Sequence, residues 1–280
     1  MSEIIDENLA PQKYRTIWIS DVHLGTIGCR ADLLLDFLRH TESEKLYLIG
    51  DMIDGWRLKQ RWFWPQAHND VVQKILRKAR KGTEVIYIPG NHDEFLRDFL
   101  EFEMSVGNIE LKLQDIHETI DGKRLLVIHG DEFDGVVRYG KWLAMLGSWA
   151  YDMTIILNRW FNIIRRRLGL PYWSLSAFLK RRVKEAVKFI TNFENALVEA
   201  ARQQETDGVV CGHIHHAQMK CIGGVLYLND GDWVESCTAL VEHFDGSLEI
   251  IYWIAPTGKE PVSADQKPAE ERKTADEICA

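Results

Sequence analysis

Cysteine is scarce in this sequence, and its spacing matches no metal-binding motif. The 280 residues include five cysteines, with no CxxC pair and no zinc-finger spacing. An odd number of scattered thiols predicts reduced, mostly buried cysteines without a structural disulfide, as in a cytosolic protein. The five are Cys29, Cys211, Cys221, Cys237 and Cys279.

Long apolar runs are also missing. Residues 1–13 are acidic and polar, without the apolar run of a signal peptide. The most apolar stretch, 142–164, is interrupted by Asp152, Asn158 and Arg159, and a charge near the bilayer centre costs about 3 kcal/mol. We therefore expect a cytoplasmic protein without a spanning helix. Attachment to the inner face of a membrane is left open.

Internal repeats and a glycine-rich phosphate-binding loop are absent, and positive charge is in deficit. The net charge of −8 makes nucleic acid an unexpected partner. With 46% hydrophobic and 27% charged residues, the composition is that of a soluble globular protein. Nothing in the sequence predicts the oligomeric state.

The first half of the chain alternates short apolar runs with helical patterns. Residues 16–20, 45–50, 84–89 and 124–129 are predicted strands. Residues 31–40 and 66–81 are predicted helices. Strands separated by helices predict an α/β (α+β) fold with a partly parallel sheet.

The second half predicts a helical insertion followed by further strands. Residues 138–202 have helical patterns almost throughout, and strands are predicted at 208–211, 225–229, 238–244 and 247–253. We expect one domain at 14–254 that includes a helical cap insertion at 136–204. The polar segment 255–280 is predicted to be a disordered tail.

Five of the predicted strands end in Asp, His or Asn, mostly beside glycine. Ligand sites in α/β sheets lie beyond the carboxyl ends of strands, so these side chains are expected to converge. The candidate metal ligands are Asp21, His23, Asp51, Asn91, His129, His213 and His215.

The residue types in this set indicate two divalent ions. Nitrogen and oxygen ligands without cysteine suit Mn, Fe, Zn, Ni or Co. The Asp-x-His and His-x-His pairs would face one side in extended backbone. Seven ligands suit two ions about 3.5–4 Å apart with a bridging carboxylate. We expect Asp51 to be that bridge.

The ordered motifs resemble those of the calcineurin-like metallophosphoesterase family. They are Asp-x-His, Gly-Asp-x-x-Asp, Gly-Asn-His-Asp, His-Gly and Gly-His-x-His, and they cover 16–254 apart from the insertion. The resemblance implies a four-layer β-sandwich flanked by helices and two divalent ions, with Mn²⁺ as the first expectation. It implies that one ion is held by Asp21, His23, Asp51 and His215, and the other by Asp51, Asn91, His129 and His213.

The resemblance also implies a hydrolytic mechanism. Metal-bound hydroxide attacks phosphorus at the centre bridged by Asp51. His92 stabilises the phosphoryl oxygens or protonates the leaving group. We expect Asp93 to orient His92, and Asp54 is left undecided between a supporting role and a loop carboxylate.

A basic, aromatic-rich segment lies within the predicted insertion. Residues 138–188 contain eleven Lys or Arg and two acidic residues, which gives +9. Such a surface suits an anionic amphiphile or membrane face, at about 1 kcal/mol per basic residue. A solvated basic face over an aromatic core is the alternative. The candidate substrate contacts are Asp93, Arg138, Arg165, Arg166 and Trp173.

A second aromatic group follows the Gly-Asp motif directly. It comprises Trp56, Trp62, Phe63 and Trp64. These side chains either line the cleft or pack the first crossover helix.

Within the family, the layout resembles UDP-2,3-diacylglucosamine pyrophosphohydrolases of lipid A synthesis. The similarity includes the position of the insertion and the stretch Gly231-Asp232-Trp233-Val234-Glu235. The best-known branch has Arg where this sequence has His92, so a sister group is implied. One alternative is a soluble phosphodiesterase or phosphatase acting on nucleotide substrates. A second is a non-catalytic scaffold on the same fold.

Overall fold

The computed structural model describes residues 10–102, 105–106, 108–136, 175–253 and 272–280. Two β-sheets and their helices make up this part of the chain. The chain divides into two compact units, Met1–Asp131 with Leu197–Ala280, and Glu132–Ala196. The candidate site lies in the first unit.

Twelve strands and five α-helices occur among the described residues. The strands are β1 (Gln12–Ile19), β2 (Thr41–Ile49), β3 (Glu84–Ile88), β4 (Ser105–Val106), β5 (Ile109–Leu111), β6 (Asp115–Glu118), β7 (Arg124–Val127), β8 (Gly208–Cys211), β9 (Gln218–Ile222), β10 (Val225–Asn229), β11 (Thr238–Glu242) and β12 (Leu248–Tyr252). The helices are α1 (Ala31–His40), α2 (Gly55–Gln60), α3 (Gln66–Arg80), α4 (Leu175–Gln203) and α5 (Ala275–Cys279). Short 3-10 helices span Glu94–Phe102 and Asp131–Val136.

Each sheet contains a set of parallel strands. The first sheet has the order β12-β11-β1-β2-β3-β5-β4, and the second has β6-β7-β8-β10-β9. Strands β1, β2 and β3 are parallel, with Ile17 opposite Leu46 and Leu46 opposite Val85. Strands β7, β8 and β10 are parallel in the second sheet. The carboxyl ends of each set therefore share one edge.

Two apolar layers hold this unit together. Between the sheets, Trp18 and Ile88 of the first sheet are buried in one cluster with Val127 and Val210 of the second. The other face of the first sheet is covered by α1 and α3. Burying a large aliphatic side chain contributes about 1.5–3 kcal/mol, so these layers fix where the strand ends lie.

Helix α3 shows why the sequence packs in this way. Val71, Ile75 and Ala79 are buried at intervals of four residues, which places them on one face of the helix. Basic residues lie in its last turn, where they interact favourably with the helix dipole.

The predicted two-sheet fold flanked by helices is confirmed. Helix α1 and strands β8 and β10 have the predicted bounds, whereas β1 begins four residues before its predicted start at residue 16. The short strands β4, β5 and β6 and the edge strand β9 were not predicted from the sequence. All five residues of β9 are half-buried, so they lack the strong apolar run that marks the central strands.

Helix α4 contains the second half of the predicted insertion. Residues 137–174 lie outside the described residues, so the insertion bounds and its role as a cap stay predictions. Among the described residues, no helix is both long and apolar enough to cross a bilayer.

The prediction of a disordered tail is wrong for residues 272–280. The backbone of Lys273 pairs with Leu248 through hydrogen bonds of 2.8 and 3.1 Å. Thr274 and Glu277 then form a reciprocal capping box that starts α5. Backbone pairing and capping stabilise this segment in spite of its polar composition.

The expectation that all five thiols are reduced is wrong for two of them, whereas Cys29, Cys211 and Cys237 are free thiols. Cys279 of α5 forms a disulfide with Cys221 of β9. These cysteines are 58 residues apart in the sequence. Their spacing alone could not predict that the end of the chain returns to an edge strand.

Candidate metal centre

One group of donor atoms forms where β1 and β8 end. Asp21 Oδ1 lies 3.0 Å from His215 Nε2 and 3.8 Å from His23 Nε2. The two imidazole Nε2 atoms are 3.4 Å apart. One donor atom from each of the three residues lies within 4.8 Å of the others. These are three of the four residues predicted for one ion.

A second group contains Asp51, His129 and His213, whose donor atoms also lie within 4.8 Å of one another. Asp51 Oδ1 is 3.6 Å from His129 Nε2. The other carboxylate oxygen, Oδ2, is 3.9 Å from His23 Nε2 in the first group. Asp51 thus presents one oxygen to each group, as a bridging carboxylate must.

Asn91 lies in the loop that follows β3. The next residue, His92, donates its backbone N–H to Asp51 Oδ1 at 2.8 Å. The preceding residue, Gly90, lies against both Asp51 and His129. The backbone of Asn91 therefore lies between two residues that contact the second group, and its role as a ligand stays a prediction.

Five of the seven predicted ligands have left-handed backbone conformations. The φ angles are 49° at Asp21, 53° at His23, 53° at Asp51, 71° at His213 and 53° at His215. The prediction that the two spaced pairs lie in extended backbone is therefore wrong. Non-glycine residues rarely adopt this conformation, which costs about 1–3 kcal/mol each and is concentrated at functional sites.

Two glycines make room for the second group. A Cβ on Gly50 would collide with the His129 ring. A Cβ on Gly90 would collide with both that ring and the Asp51 carboxylate. Any side chain at either position would displace a predicted ligand.

Opposite charges are balanced within the site. Burial would raise the pKa of Asp21, but His215 and His129 hold it well below the ordinary range. Burial would lower the pKa of His215, but Asp21 raises it to about 9. Burial likewise opposes a raised pKa at His129, which Asp51 and Asp21 bring to about 10. The carboxylates therefore favour positive charge between the strand ends, whether carried by protons or by metal ions.

The hydrogen bonds of His129 leave one ring nitrogen for a cation. Nδ1 lies 2.9 Å from the carbonyl oxygen of Ile49, which can only accept, so Nδ1 carries a proton. Nε2 is buried without a hydrogen bond among the described residues. A ligand histidine held in this way by a backbone carbonyl is common at metal sites.

Asp21 likewise has one donor atom held by protein hydrogen bonds and another that faces the site. Its Oδ2 accepts hydrogen bonds from Ser20 Oγ at 2.8 Å and from the backbone N–H of His213 at 2.7 Å. Its Oδ1 is buried and faces the imidazole nitrogens of His215 and His23, 3.0 and 3.8 Å away. A buried carboxylate oxygen beside two imidazole nitrogens is a donor set that divalent ions accept, so the residues present fit such an ion.

His92 stands between two carboxylates. Its Nε2 lies 3.9 Å from Asp51 Oδ2, and its Nδ1 lies 3.0 Å from Asp54 Oδ2. The same Asp54 oxygen is 3.3 Å from His23 Nδ1. The His92 ring also packs against Trp56, with ring centroids 4.4 Å apart. Asp54, which the sequence left undecided, therefore contacts both His92 and a metal-ligand candidate.

The predicted role of Asp93 is wrong. Its fully buried carboxylate accepts hydrogen bonds from the backbone of Gly90 at 2.6 Å and Met52 at 2.9 Å, and from Tyr87 Oη at 2.6 Å. It thus ties the loops after β2 and β3 together, and none of these hydrogen bonds comes from the His92 ring. Asp93 is next to His92 in the chain, but its side chain points inward, where it accepts hydrogen bonds from the backbone N–H groups of Gly90 and Met52.

The sequence pattern of the calcineurin-like phosphoesterases matches residues 14–217 of the chain. The chain belongs to the calcineurin-like phosphoesterase family. The phosphoesterase match ends two residues after His215. It therefore includes every predicted ligand.

Curated relatives of this phosphoesterase carry the name UDP-2,3-diacylglucosamine hydrolase. The protein of Porphyromonas gingivalis is 31% identical over 40% of this chain and 44% of its own length. The Aliivibrio fischeri protein is 26% identical over 71% of this chain and 80% of its own length. The Histophilus somni protein is 29% identical over 42% of this chain and 49% of its own length. The chain thus spans less than half the length of two of these three relatives.

Solved structures resemble this phosphoesterase at low similarity. A Vps29 mutant from Entamoeba histolytica has a TM-score of 0.42 and 15% identity, over 84% of this chain and 89% of its own. An archaeal phosphodiesterase has a TM-score of 0.37 and 13% identity, over 85% and 98%. Likeness at this level does not bear on activity.

Two groups in the site were missed from the sequence. Ser20 Oγ lies 2.6 Å from Asp230 Oδ1 as well as 2.8 Å from Asp21 Oδ2, so it links a metal-ligand candidate to a second carboxyl group. Burial raises the pKa of Asp230 well above its ordinary value. Asp230 directly follows β10, so the rule of polar residues at strand ends could have found it.

The remaining predicted substrate contacts lie outside the described residues. They are Arg138, Arg165, Arg166 and Trp173. Their roles stay predictions.

Proposed function

We propose that this phosphoesterase hydrolyses the pyrophosphate bond of UDP-2,3-diacylglucosamine or of a closely related acylated nucleotide sugar. The observation that carries the proposal is the position of Asp51 between two donor groups, with His92 Nε2 3.9 Å from its carboxylate. The choice of substrate is supported by relatives of that name from three bacteria.

The proposed centre holds two divalent ions. Asp21, His23 and His215 would hold one, Asn91, His129 and His213 the other, and Asp51 both. Two such ions, with Mn²⁺ as our first choice, would supply Lewis-acid chemistry that polarises a phosphoryl group and lowers the pKa of water. Asp21, Asp51 and His129 are buried, which strengthens their electrostatic interaction with a bound cation.

His92 supplies the proton in this mechanism. Asp54 lies 3.0 Å from Nδ1 and fixes the ring, so Nε2 faces the centre beside Asp51. When the pyrophosphate bridge breaks, His92 Nε2–H donates its proton to the oxygen of the leaving phosphate. Water supplies the oxygen that the other phosphate gains, and the products are UMP and an acylated sugar 1-phosphate.

We further propose that the basic insertion holds the anionic and acylated parts of the substrate. Arg138, Arg165, Arg166 and Trp173 are the residues we assign to that role. The net charge of +9 at residues 138–188 supports this assignment. A lipid-linked substrate also favours action at the inner face of the membrane.

A comparison of substrates tests the proposal. The chain is incubated with UDP-2,3-diacylglucosamine, with the same nucleotide sugar lacking acyl chains, and with bis(4-nitrophenyl) phosphate. We expect the highest kcat/KM with the acylated compound, complete loss with a chelator and recovery with Mn²⁺. Preference for the phosphodiester would favour a soluble phosphodiesterase instead. Failure to cleave any of the three would favour a scaffold.

A further inference from the structure

A half-buried arginine joins the loops that follow β3 and β7. Arg97 lies in the 3-10 helix Glu94–Phe102, and its Nη2 donates to the carbonyl oxygen of Pro89 at 2.9 Å. The same nitrogen lies 2.7 Å from Oδ1 and 2.9 Å from Oδ2 of Asp131. Pro89 directly follows β3 of the first sheet, and Asp131 is the fourth residue after β7 of the second. One side chain therefore connects strand ends from both sheets.

These two loops carry predicted ligands of the second ion. Asn91 is two residues after Pro89, and His129 is two residues before Asp131. Between the loops, a Cβ on Gly90 would lie only 2.6 Å from His129 Nε2, so the backbone of one loop packs directly on the ligand of the other. Ligand sets must be held within about 0.5 Å of their working geometry. The separation of the loops therefore matters for binding of the second ion.

The contacts of Arg97 differ from those of an exposed ion pair. The Asp131 side chain is 11% exposed, and the Arg97 side chain is 32% exposed. Fully exposed pairs contribute little, because water competes for both charges. Here one nitrogen donates to a carboxylate and to a backbone carbonyl, and charge-assisted hydrogen bonds of this kind are short and geometrically specific. Arg97 can therefore fix the position of one loop against the other.

The second donor group depends more on positioning than the first. Of its four proposed ligands, only Asp51 is a carboxylate, whereas the first group also contains Asp21. Neutral ligands attract a cation less strongly than carboxylates do, so their placement decides more of the affinity.

Charge and positioning predict opposite effects for the loss of Arg97. If its charge alone mattered, its removal would leave the Asp131 carboxylate unbalanced, and a nearby dication would bind more tightly. If its hydrogen bonds position the loops, their removal would weaken binding of the second ion. The sign of the change therefore separates the two effects.

We propose that Arg97 is a positioning residue for the second ion. Its hydrogen bonds to Pro89 and Asp131 hold the loops of Asn91 and His129 at the separation that lets both ligands reach one cation. The proposal rests on the two-ion centre of the proposed function and deepens it, because Arg97 acts through the ligands and not on the substrate.

Titration of the chelated full chain with Mn²⁺ tests this role, with calorimetry and electron paramagnetic resonance as readouts. The parent chain should bind two ions and give a spin-coupled signal, because ions sharing a carboxylate lie about 3.5–4 Å apart. Arg97→Gln should raise the Kd of the second ion about 10–100-fold, leave that of the first within about twofold and weaken the coupled signal. Arg97→Lys keeps the charge without the planar fork and should recover part of the loss. Asp131→Asn should weaken the second ion as well.

Arg124→Gln is the matched control. Arg124 is an exposed arginine at the start of β7, and its Nη1 donates to the carbonyl oxygen of Glu205 at 3.1 Å. Melting temperatures of the metal-free variants verify that each is folded. An unchanged or lower Kd of the second ion in Arg97→Gln would overturn the proposal, as would equal losses at both ions or an equal loss in Arg124→Gln.

The outcomes also separate this proposal from the proposed function. A parent chain that binds one ion would overturn the role of Arg97 together with the two-ion centre. Two bound ions and an unaffected Arg97→Gln variant would overturn the role of Arg97 alone. Weaker second-ion binding in Arg97→Gln would support that role even in a chain that fails to cleave UDP-2,3-diacylglucosamine.

Discussion

Asp54 Oδ2 lies 3.0 Å from His92 Nδ1. The same oxygen is 3.3 Å from Nδ1 of His23, a metal-ligand candidate. One carboxylate thereby orients the proposed proton donor and one ligand of the metal centre. Groups in this position commonly change metal affinity or activity by about 10–100-fold when they are removed.

The Asp54→Asn variant tests this relationship, because its effect should depend on whether the leaving group needs a proton. A 4-nitrophenolate departs readily without a proton, whereas an alkoxide needs one. We expect kcat to fall about 10–100-fold for an alkyl phosphodiester, and much less for bis(4-nitrophenyl) phosphate. Steady-state kinetics on both substrates, with metal content measured in parallel, provides the comparison. Glu94→Gln, which alters a carboxylate beside Trp56, is the control. Equal losses on both substrates would contradict a role in proton donation.

The end of the chain offers a test of stability. The Cys221–Cys279 disulfide fastens α5 to β9, while Lys273 pairs with Leu248 of β12, the edge strand of the other sheet. Cys279→Ser should lower the free energy of unfolding by about 2–4 kcal/mol, as loss of a long-loop crosslink does. Urea unfolding with and without a dithiol reductant measures it. The reductant should destabilise the parent chain to the same extent and leave the variant unchanged. A parent chain insensitive to reductant would argue against the crosslink.

A buried ion cluster joins the two sheets. Glu242 of β11 accepts from Arg15 Nη1 at 2.8 and 2.7 Å and lies 2.8 Å from His117 Nε2 of β6. The Glu242→Gln variant leaves Arg15 and His117 without the opposing negative charge. We expect it to lower the free energy of unfolding by about 2–3 kcal/mol at neutral pH. Urea unfolding measures this loss. Glu118→Gln, at an exposed carboxylate in β6, should change stability little.

The pH dependence of that loss has a defined sign. Burial would raise the pKa of Glu242, but His117, the Ile120 backbone N–H and Arg15 lower it from 4.5. The ionised carboxylate therefore stabilises the fold above about pH 4.5, and this contribution is lost as the pH falls further. The difference in the free energy of unfolding between the parent chain and the Glu242→Gln variant should therefore become smaller at acidic pH. A constant difference from neutral to acidic pH would contradict the charge-based account.

The metal-ligand candidates could be predicted because they follow apolar strands. Strand β3 buries Val85, Ile86 and Ile88, so the polar residues after it are exceptions to the apolar pattern and stand out. Parallel pairing then places those exceptions on one edge of each sheet, as with Asp21 and Asp51 in the first sheet and His129 and His213 in the second. Their left-handed backbone could not be predicted, since it depends on hydrogen bonds between loops. One example is the bond from His23 N–H to the carbonyl oxygen of Asp51.

The partners of His92 show that adjacency in the sequence does not predict which side chains are in contact. Asp93 adjoins His92 in the chain, but its carboxylate is drawn inward by the N–H groups of Gly90 and Met52. Asp54 is 38 residues away and occupies the place beside the ring. The disulfide follows the same rule, because long-range contacts are fixed by packing rather than by spacing along the chain.

Metal stoichiometry tests the two-ion centre most directly. The chelated chain is titrated with Mn²⁺, and bound metal is measured by calorimetry and elemental analysis. We expect two ions per chain, because Asp51 presents one oxygen to each donor group. Asp51→Ala should lose activity and tight binding of both ions, while His92→Asn should keep both ions and lose activity. One ion per chain, or a fully active Asp51→Ala variant, would contradict the two-ion centre.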